Sequence, residues 1–316
     1  MGSGVMAVFR AAVWTLVVLA HCASTRSIVA RESHFDWNDI KYLVAFGDSY
    51  TFVQGTAGYP ELSFIGSGDD LSFSSEELLS DNIVQNFTGT ANGGPNWIER
   101  MTGCGVESGE TSPRSCDIQL WDFAFGGAHV SGELLPQNHG YTIPLVNQTQ
   151  QYLTWGEPVI GKDMDKSKAL VAIWIGVNDV IESAESEDVS FPEFYDSLVS
   201  AVVKQSAQPL YEVGFRNFLF LNLPPLDRAP DSLLVKHNLP NQTMIGWWND
   251  ALEKHNGLFS AANPVAKSMV YDANSFLNHV LDTPEDYGIK DTKSYCSSSQ
   301  VHKWLQTQHD VFDEAL

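Results

Sequence analysis

The sequence predicts an α/β domain, with a central parallel sheet of about five strands and helices packed on both of its faces. Two observations carry that reading: short, continuous apolar runs, and segments of helical periodicity that alternate with them. A strand covered on both faces has no polar side to show. The runs are Tyr42–Phe46, Ile118–Ala124, Leu170–Ile175, Phe218–Leu221 and Met269–Tyr271. With 316 residues, 43% of them hydrophobic, the chain is long enough to bury one large core, and it shows neither an internal repeat nor an interdomain linker.

Ahead of the first strand, Arg10 is followed by the apolar stretch Ala11–Ala20 and then by small residues around Cys22-Ala23-Ser24. This is the pattern of a secretory signal peptide, assigned to residues 1–24, with a single folded domain expected over 25–316. The stretch is short for a membrane span, and no other run approaches that length. The first strand stops at Gly47-Asp48-Ser49. Glycine lets the chain bend sharply, so the serine hydroxyl is presented at the sheet edge, although a simple Asp/Ser helix cap would leave the same triplet. Ser63–Ser80, rich in Ser, Gly and Asp, reads as a long surface loop. The second strand runs into Phe125-Gly126-Gly127-Ala128 and the third into Gly176-Val177-Asn178-Asp179. Beyond the third, Ser190-Phe191-Pro192-Glu193 has the form of a capping box with proline in the first turn, and Phe194, Tyr195, Leu198, Val199 and Val202 recur at helical spacing. A further helix is expected to carry Met244, Trp247, Trp248 and Leu252.

Taken in order, the three strand-end motifs resemble the blocks of the GDSL, or SGNH, hydrolases. That resemblance implies a flavodoxin-like, three-layer α/β/α fold with Ser49 as nucleophile. Its oxyanion hole would comprise the N–H of Ser49, the N–H of Gly127 (or Gly126, one residue earlier) and the side-chain amide of Asn178. These residue types suit the task, because a glycine backbone can approach substrate closely and an Asn amide donates without carrying charge. The wording Phe46-Gly47-Asp48-Ser49-Tyr50-Thr51 with Gly55-Thr56, then Gly93-Gly94-Pro95-Asn96-Trp97, then Leu221-Asn222-Leu223-Pro224-Pro225-Leu226-Asp227-Arg228, is similar to fungal acetylesterases of carbohydrate esterase family 16. The similarity runs from about Tyr42 to Tyr295. It implies removal of acetyl groups from short carbohydrates such as plant cell-wall xylo-oligosaccharides, without cofactor or metal, and a monomer is expected. Trp97 would form an apolar wall for the sugar or acetyl group, or else pack beside the Gly-Gly-Pro turn.

The C-terminus departs from the resemblance. The usual last block is D-x-x-H, in which His deprotonates the serine and Asp orients the ring. None of the nine histidines has Asp or Glu three residues before it. His309 is the best positional match, since Trp304-Leu305-Gln306-Thr307-Gln308-His309 resembles the W-x-N-x-x-H wording of this group, with Gln306 in the acid or amide position. Other registers stay open: His309–Leu316, and Val301–Leu305 likewise, resemble the helix that follows the catalytic histidine, and in those readings the block itself has been lost between Cys296 and the tail; His302 is a further candidate base. An inactive truncated form, or a carbohydrate-binding pseudoenzyme, is therefore the rival to an active esterase. A broad lipase is a third reading, with no long apolar lid-like segment to support it.

Charge and cysteines set the outer limits. The net charge of −21, from 18 basic and 39 acidic residues, disfavours nucleic acid and anionic membranes while leaving a neutral sugar ester unaffected. Asn86, Asn147 and Asn241 each begin an N-x-T acceptor for glycosylation, which suits an extracellular product. Cys104 and Cys116 are close enough in sequence to staple one loop, and Cys296 is left over once Cys22 departs with the signal.

Overall fold

The five apolar runs become strands β1 (Tyr42–Gly47), β2 (Gln119–Asp122), β3 (Ala169–Trp174), β4 (Asn217–Leu221) and β5 (Lys267–Tyr271). They lie side by side in the order β2-β1-β3-β4-β5, every pair parallel. The computed structural model describes residues 35–66, 72–87, 89–91, 93–187, 189–229 and 239–294. Within it the expected α/β architecture stands. All six residues of β3 and all five of β4 are buried, as continuous apolar runs require.

The helices that frame the sheet include α1 (Trp97–Thr102), α2 (Leu145–Gln151), α3 (Val177–Ser183), α4 (Phe191–Ala201), α5 (Gln242–Ala262) and α6 (Ala273–Asp282). Side chains along each strand point alternately to the two faces, and the ring contacts show what each face meets. Phe46 touches Tyr152, just beyond α2, and Phe218 meets Phe259 of α5 edge-on at 5.1 Å. The opposite face carries Trp174, Leu219, Leu221, Met269 and Tyr271, and there Trp97 of α1 packs edge-on against Trp174.

Strand order decides where a ligand can sit. The chain leaves β1 for β2 on one side and returns to β3 on the other, so the loops at the carboxyl ends of β1 and β3 diverge and leave a crevice. Two glycines make close packing there possible. Gly47 ends β1 at φ +148°, and a Cβ on it would overlap the carbonyl oxygen of Trp174; Gly176 caps α3 at φ +115°, where a Cβ would enter the Trp248 ring.

Two local expectations are corrected. Ser63–Ser80 is not one loop: Ile65–Gly66 pairs with Ala57–Gly58, and Ser75–Ser80 is a helix whose cap Ser74 exchanges hydrogen bonds with Glu77. The S-x-x-E signal was present, but masked by loop-like composition. Ser190 does cap α4, with Pro192 in the first turn, yet its side chain makes no capping bond, so the expected box is not closed. Helical packing of the stripe is as expected, with Tyr195, Leu198, Val199 and Val202 buried, and so are Met244, Trp248 and Leu252 of α5.

Candidate active site

Ser49 lies half-buried directly beyond β1. The turn that presents it is closed by Thr51 and Phe52, whose N–H groups donate to the Asp48 carbonyl at 3.0 and 3.1 Å. The Asp48 carboxylate, fully buried, accepts from Tyr50 N–H at 3.0 Å, and burial pushes it up to about 7 against the pull of its backbone donors. The N–H of Ser49 itself has no partner among the described residues.

The continuation of β2 arrives beside this turn, because Phe125 N–H donates to Gly47 O at 3.1 Å. Gly126 N–H is taken by Leu62 O at 2.8 Å, whereas Gly127, exposed and at φ +80°, has no N–H partner among the described residues. Of the two glycines, only Gly127 has its donor to spare. On the other side, α3 begins straight after β3, and Asn178 at its second position donates from Nδ2 to Ala128 O at 2.9 Å. That bond uses one amide hydrogen and leaves the second for a ligand. Three free donors thus stand at the carboxyl ends of adjacent strands, around the serine.

Buried carboxylates and amides brace these loops. Asp122 accepts from Val53 N–H at 2.7 Å and Ala124 N–H at 2.8 Å, and Asp179 accepts from Val130 N–H at 3.1 Å. Asn96 caps α1 and donates to Thr51 O at 2.8 Å and Phe52 O at 3.0 Å. Burial raises Asp179 to about 8, with the neighbouring Asp48 charge adding to the effect, and raises Asp122 as well. Asp48, Asp122, Asp179 and Asn96 all lie inside the motifs read from the sequence, but their bracing roles went unread because a motif does not show which backbone a side chain reaches.

Trp97 opens α1; its Nε1 donates to Thr51 Oγ1 at 3.4 Å and its ring abuts Trp174. Tyr50, half-exposed and next to the serine, stacks on the same Trp174 at 5.1 Å between ring centres. Tyr50 stood inside the first motif without a role assigned to it. His129, beside Gly127, is fully buried 2.8 Å from Glu182 Oε2. Cys104 and Cys116 form a disulfide that joins the end of α1 to the approach to β2. Of the acceptor asparagines, Asn86 is exposed, Asn147 lies within α2, and Asn241 caps α5 by accepting from Met244 N–H. Residues 1–24, Cys296, His302, Gln306 and His309 lie outside the described residues.

Comparison with known proteins identifies the family. Residues 43–313 match the GDSL-like Lipase/Acylhydrolase family. The chain belongs to that family. An acetylesterase of Thermothelomyces thermophilus is 28% identical over 307 residues, which span 93% of this chain and 91% of the relative. GDSL esterase/lipase 1 of Arabidopsis thaliana is 27% identical over 205 residues, covering 59% of this chain and 53% of its own length. Among solved structures, an acetyl xylan esterase superimposes with a TM-score of 0.35 at 15% identity, over 78% of this chain and 84% of that one; the five parallel strands, rather than that superposition, establish the fold. As a member of the family the protein is a carboxylic ester hydrolase. No helix among the described residues is long and apolar enough to cross a membrane.

Proposed function

We propose that the protein is a secreted acetylesterase that removes acetyl groups from short plant cell-wall oligosaccharides. Ser49 Oγ attacks the ester carbonyl, and the base takes its proton and returns it to the departing sugar hydroxyl. Water then releases acetate from the acyl-enzyme. The negative charge that develops on the carbonyl oxygen is met by the N–H groups of Ser49 and Gly127 and by the amide of Asn178. Donors held in place before the reaction have little reorganisation to make during it. His309 acts as base, with Gln306 in the sequence position of the orienting acid or amide. Trp97 and Tyr50 offer aromatic surface against which a sugar or acetyl group can rest.

The observation that carries this reading is the trio of uncommitted donors around Ser49, with Gly126 N–H already spoken for and Asn178 anchored on Ala128 O. Support for the acetyl group comes from the named activity of the Thermothelomyces relative, support for the sugar from the resemblance of the sequence motifs, and support for secretion from the first 24 residues. The test is direct. Wild type should release acetate from acetylated xylo-oligosaccharides and hydrolyse aryl acetates faster than longer acyl esters. A serine-directed phosphonate should label Ser49, and Ser49→Ala should abolish turnover with its melting temperature nearly unchanged. Labelling of another serine would overturn the assignment.

A further inference from the structure

Gln148 sits in the middle of the acceptor tripeptide Asn147-Gln148-Thr149, 101 residues after Gly47 and outside every motif that marks the site. Its side chain is wholly buried, yet it does not face α2's own backbone alone. Oε1 accepts the N–H of Gly47 at 3.0 Å, while Nε2 donates to Gly47 O at 2.8 Å and to Ile143 O at 2.9 Å. Both amide hydrogens and the carbonyl are engaged, and only this orientation of the amide satisfies all three partners.

The two bonds to Gly47 reach different peptide groups. Its N–H belongs to the plane before its Cα and its C=O to the plane after, so one rigid side-chain amide bonded to both fixes the relative rotation of the two planes. Gly47 is the residue that most needs such a constraint, because glycine alone has broad freedom near its φ of +148° and the serine stands two residues on. A rotation of a few tens of degrees at this point would carry Ser49 Oγ by about an ångström, and misplacement on that scale costs about 10²-fold in rate.

We propose that Gln148 is a positioning residue for the nucleophile: from α2 it locks the torsions of Gly47 and thereby holds Ser49 in line with the oxyanion donors. The proposal rests on Ser49 being the nucleophile. The bland alternative is that Gln148 only satisfies buried backbone groups at the end of β1, which would affect stability and leave turnover alone.

Gln148→Met keeps the length of the side chain and removes all three hydrogen bonds. It should lower kcat by about 10–100-fold with KM within about threefold, and slow phosphonate labelling of Ser49 in parallel. Gln148→Glu keeps the shape but, when ionised, sets a carboxylate against the carbonyls of Gly47 and Ile143; protonation restores one donor. Its kcat relative to wild type should therefore rise as pH falls. A Gln148→Met enzyme with wild-type kcat and labelling rate, whatever its melting temperature, would overturn the proposal. Should that variant not fold, a Gln148→Glu enzyme whose activity stays in constant ratio to wild type across pH would do the same. Failure of the underlying reading looks different: the wild type itself would be labelled at a serine other than Ser49.

Discussion

The carboxyl ends of β1, β2 and β3 and the open face of β4 and β5 are held in contrasting ways. Around the serine the fastenings are directional: Asp122, Asp179 and Asn96 are buried polar side chains hydrogen-bonded to the backbone of a neighbouring loop, and buried Asp48 holds the Tyr50 N–H within its own turn. On the β4–β5 face, Leu219, Leu221, Met269 and Tyr271 join Trp97 and Trp174 in lining an apolar groove of about 580 Å³. A hydrogen bond fixes distance and angle together, whereas apolar contact resists separation and tolerates sliding. The first region, the active site in the function proposed above, is thus built to hold atoms still, and the second to supply cohesion. Substitutions in the two should separate turnover from stability.

The largest effect on turnover should come from the group that completes the first region. If His309 is the base, His309→Ala should lose nearly all activity, a factor of about 10⁴ or more, by analogy with the loss of a triad histidine elsewhere. Gln306→Asp should raise activity by supplying charge to stabilise the imidazolium. Wild-type turnover in His309→Ala would place the base elsewhere. Negligible wild-type activity that is restored by inserting a D-x-x-H-P segment after Cys296 would instead mark the chain as a truncated esterase.

Next in size is the oxyanion hole. Asn178→Ala removes a donor whose bond strengthens as charge develops, so kcat should fall by about 10²–10³ with KM little altered. Gly127→Val should be worse, since a branched side chain both strains a backbone at φ +80° and crowds the carbonyl. Steady-state kinetics on an aryl acetate would read both. An unchanged kcat in Asn178→Ala would break the link between directional bracing and catalysis.

How much of this was legible beforehand follows the same division. The strands of the sheet could be read because each is a continuous apolar run, and the ends of the first three because glycine, serine and asparagine stand there in the order of a known family's blocks. The choice between Gly126 and Gly127 could not be read, because it turns on whether Leu62 O, 64 residues away, has already taken the Gly126 N–H. Gln148 was hidden for the same reason: a helix residue inside a glycosylation tripeptide gives no local sign that it bonds to Gly47. Composition misled at Ser75–Ser80, where serine and acidic residues suit a surface loop as well as a capped helix.

The polar bracing has a stability signature of its own. Glu99, buried in the first turn of α1, accepts from Asn96 N–H at 2.8 Å. Burial holds Asp48 near 7 and Asp179 and Glu99 near 8, all above the ordinary carboxylate range, so the folded state binds protons that the unfolded chain has lost by about pH 5. Stability from these groups is therefore fullest below the unfolded carboxylate values and declines as pH rises through the folded ones. The melting temperature should be higher at pH 5 than at pH 8. Asp179→Asn, which keeps the shape without the charge, should flatten that slope. A melting temperature that climbs from pH 5 to pH 8 would contradict the assignment.

The smallest effect on turnover should come from the apolar face. Leu219 is nearly buried at the centre of β4, and Leu219→Ala should cost about 2–4 kcal/mol of unfolding free energy through lost contacts and the cavity left behind. Its kcat should stay within about twofold of wild type at a temperature where the variant is folded, because no bond to the Ser49 turn passes through it. Denaturant unfolding and kinetics on the same preparation would test both halves of that statement. A fall in kcat comparable to that of Asn178→Ala would mean that the β4–β5 face also sets the position of the reacting groups, and the division between cohesive and directional regions would have to be abandoned.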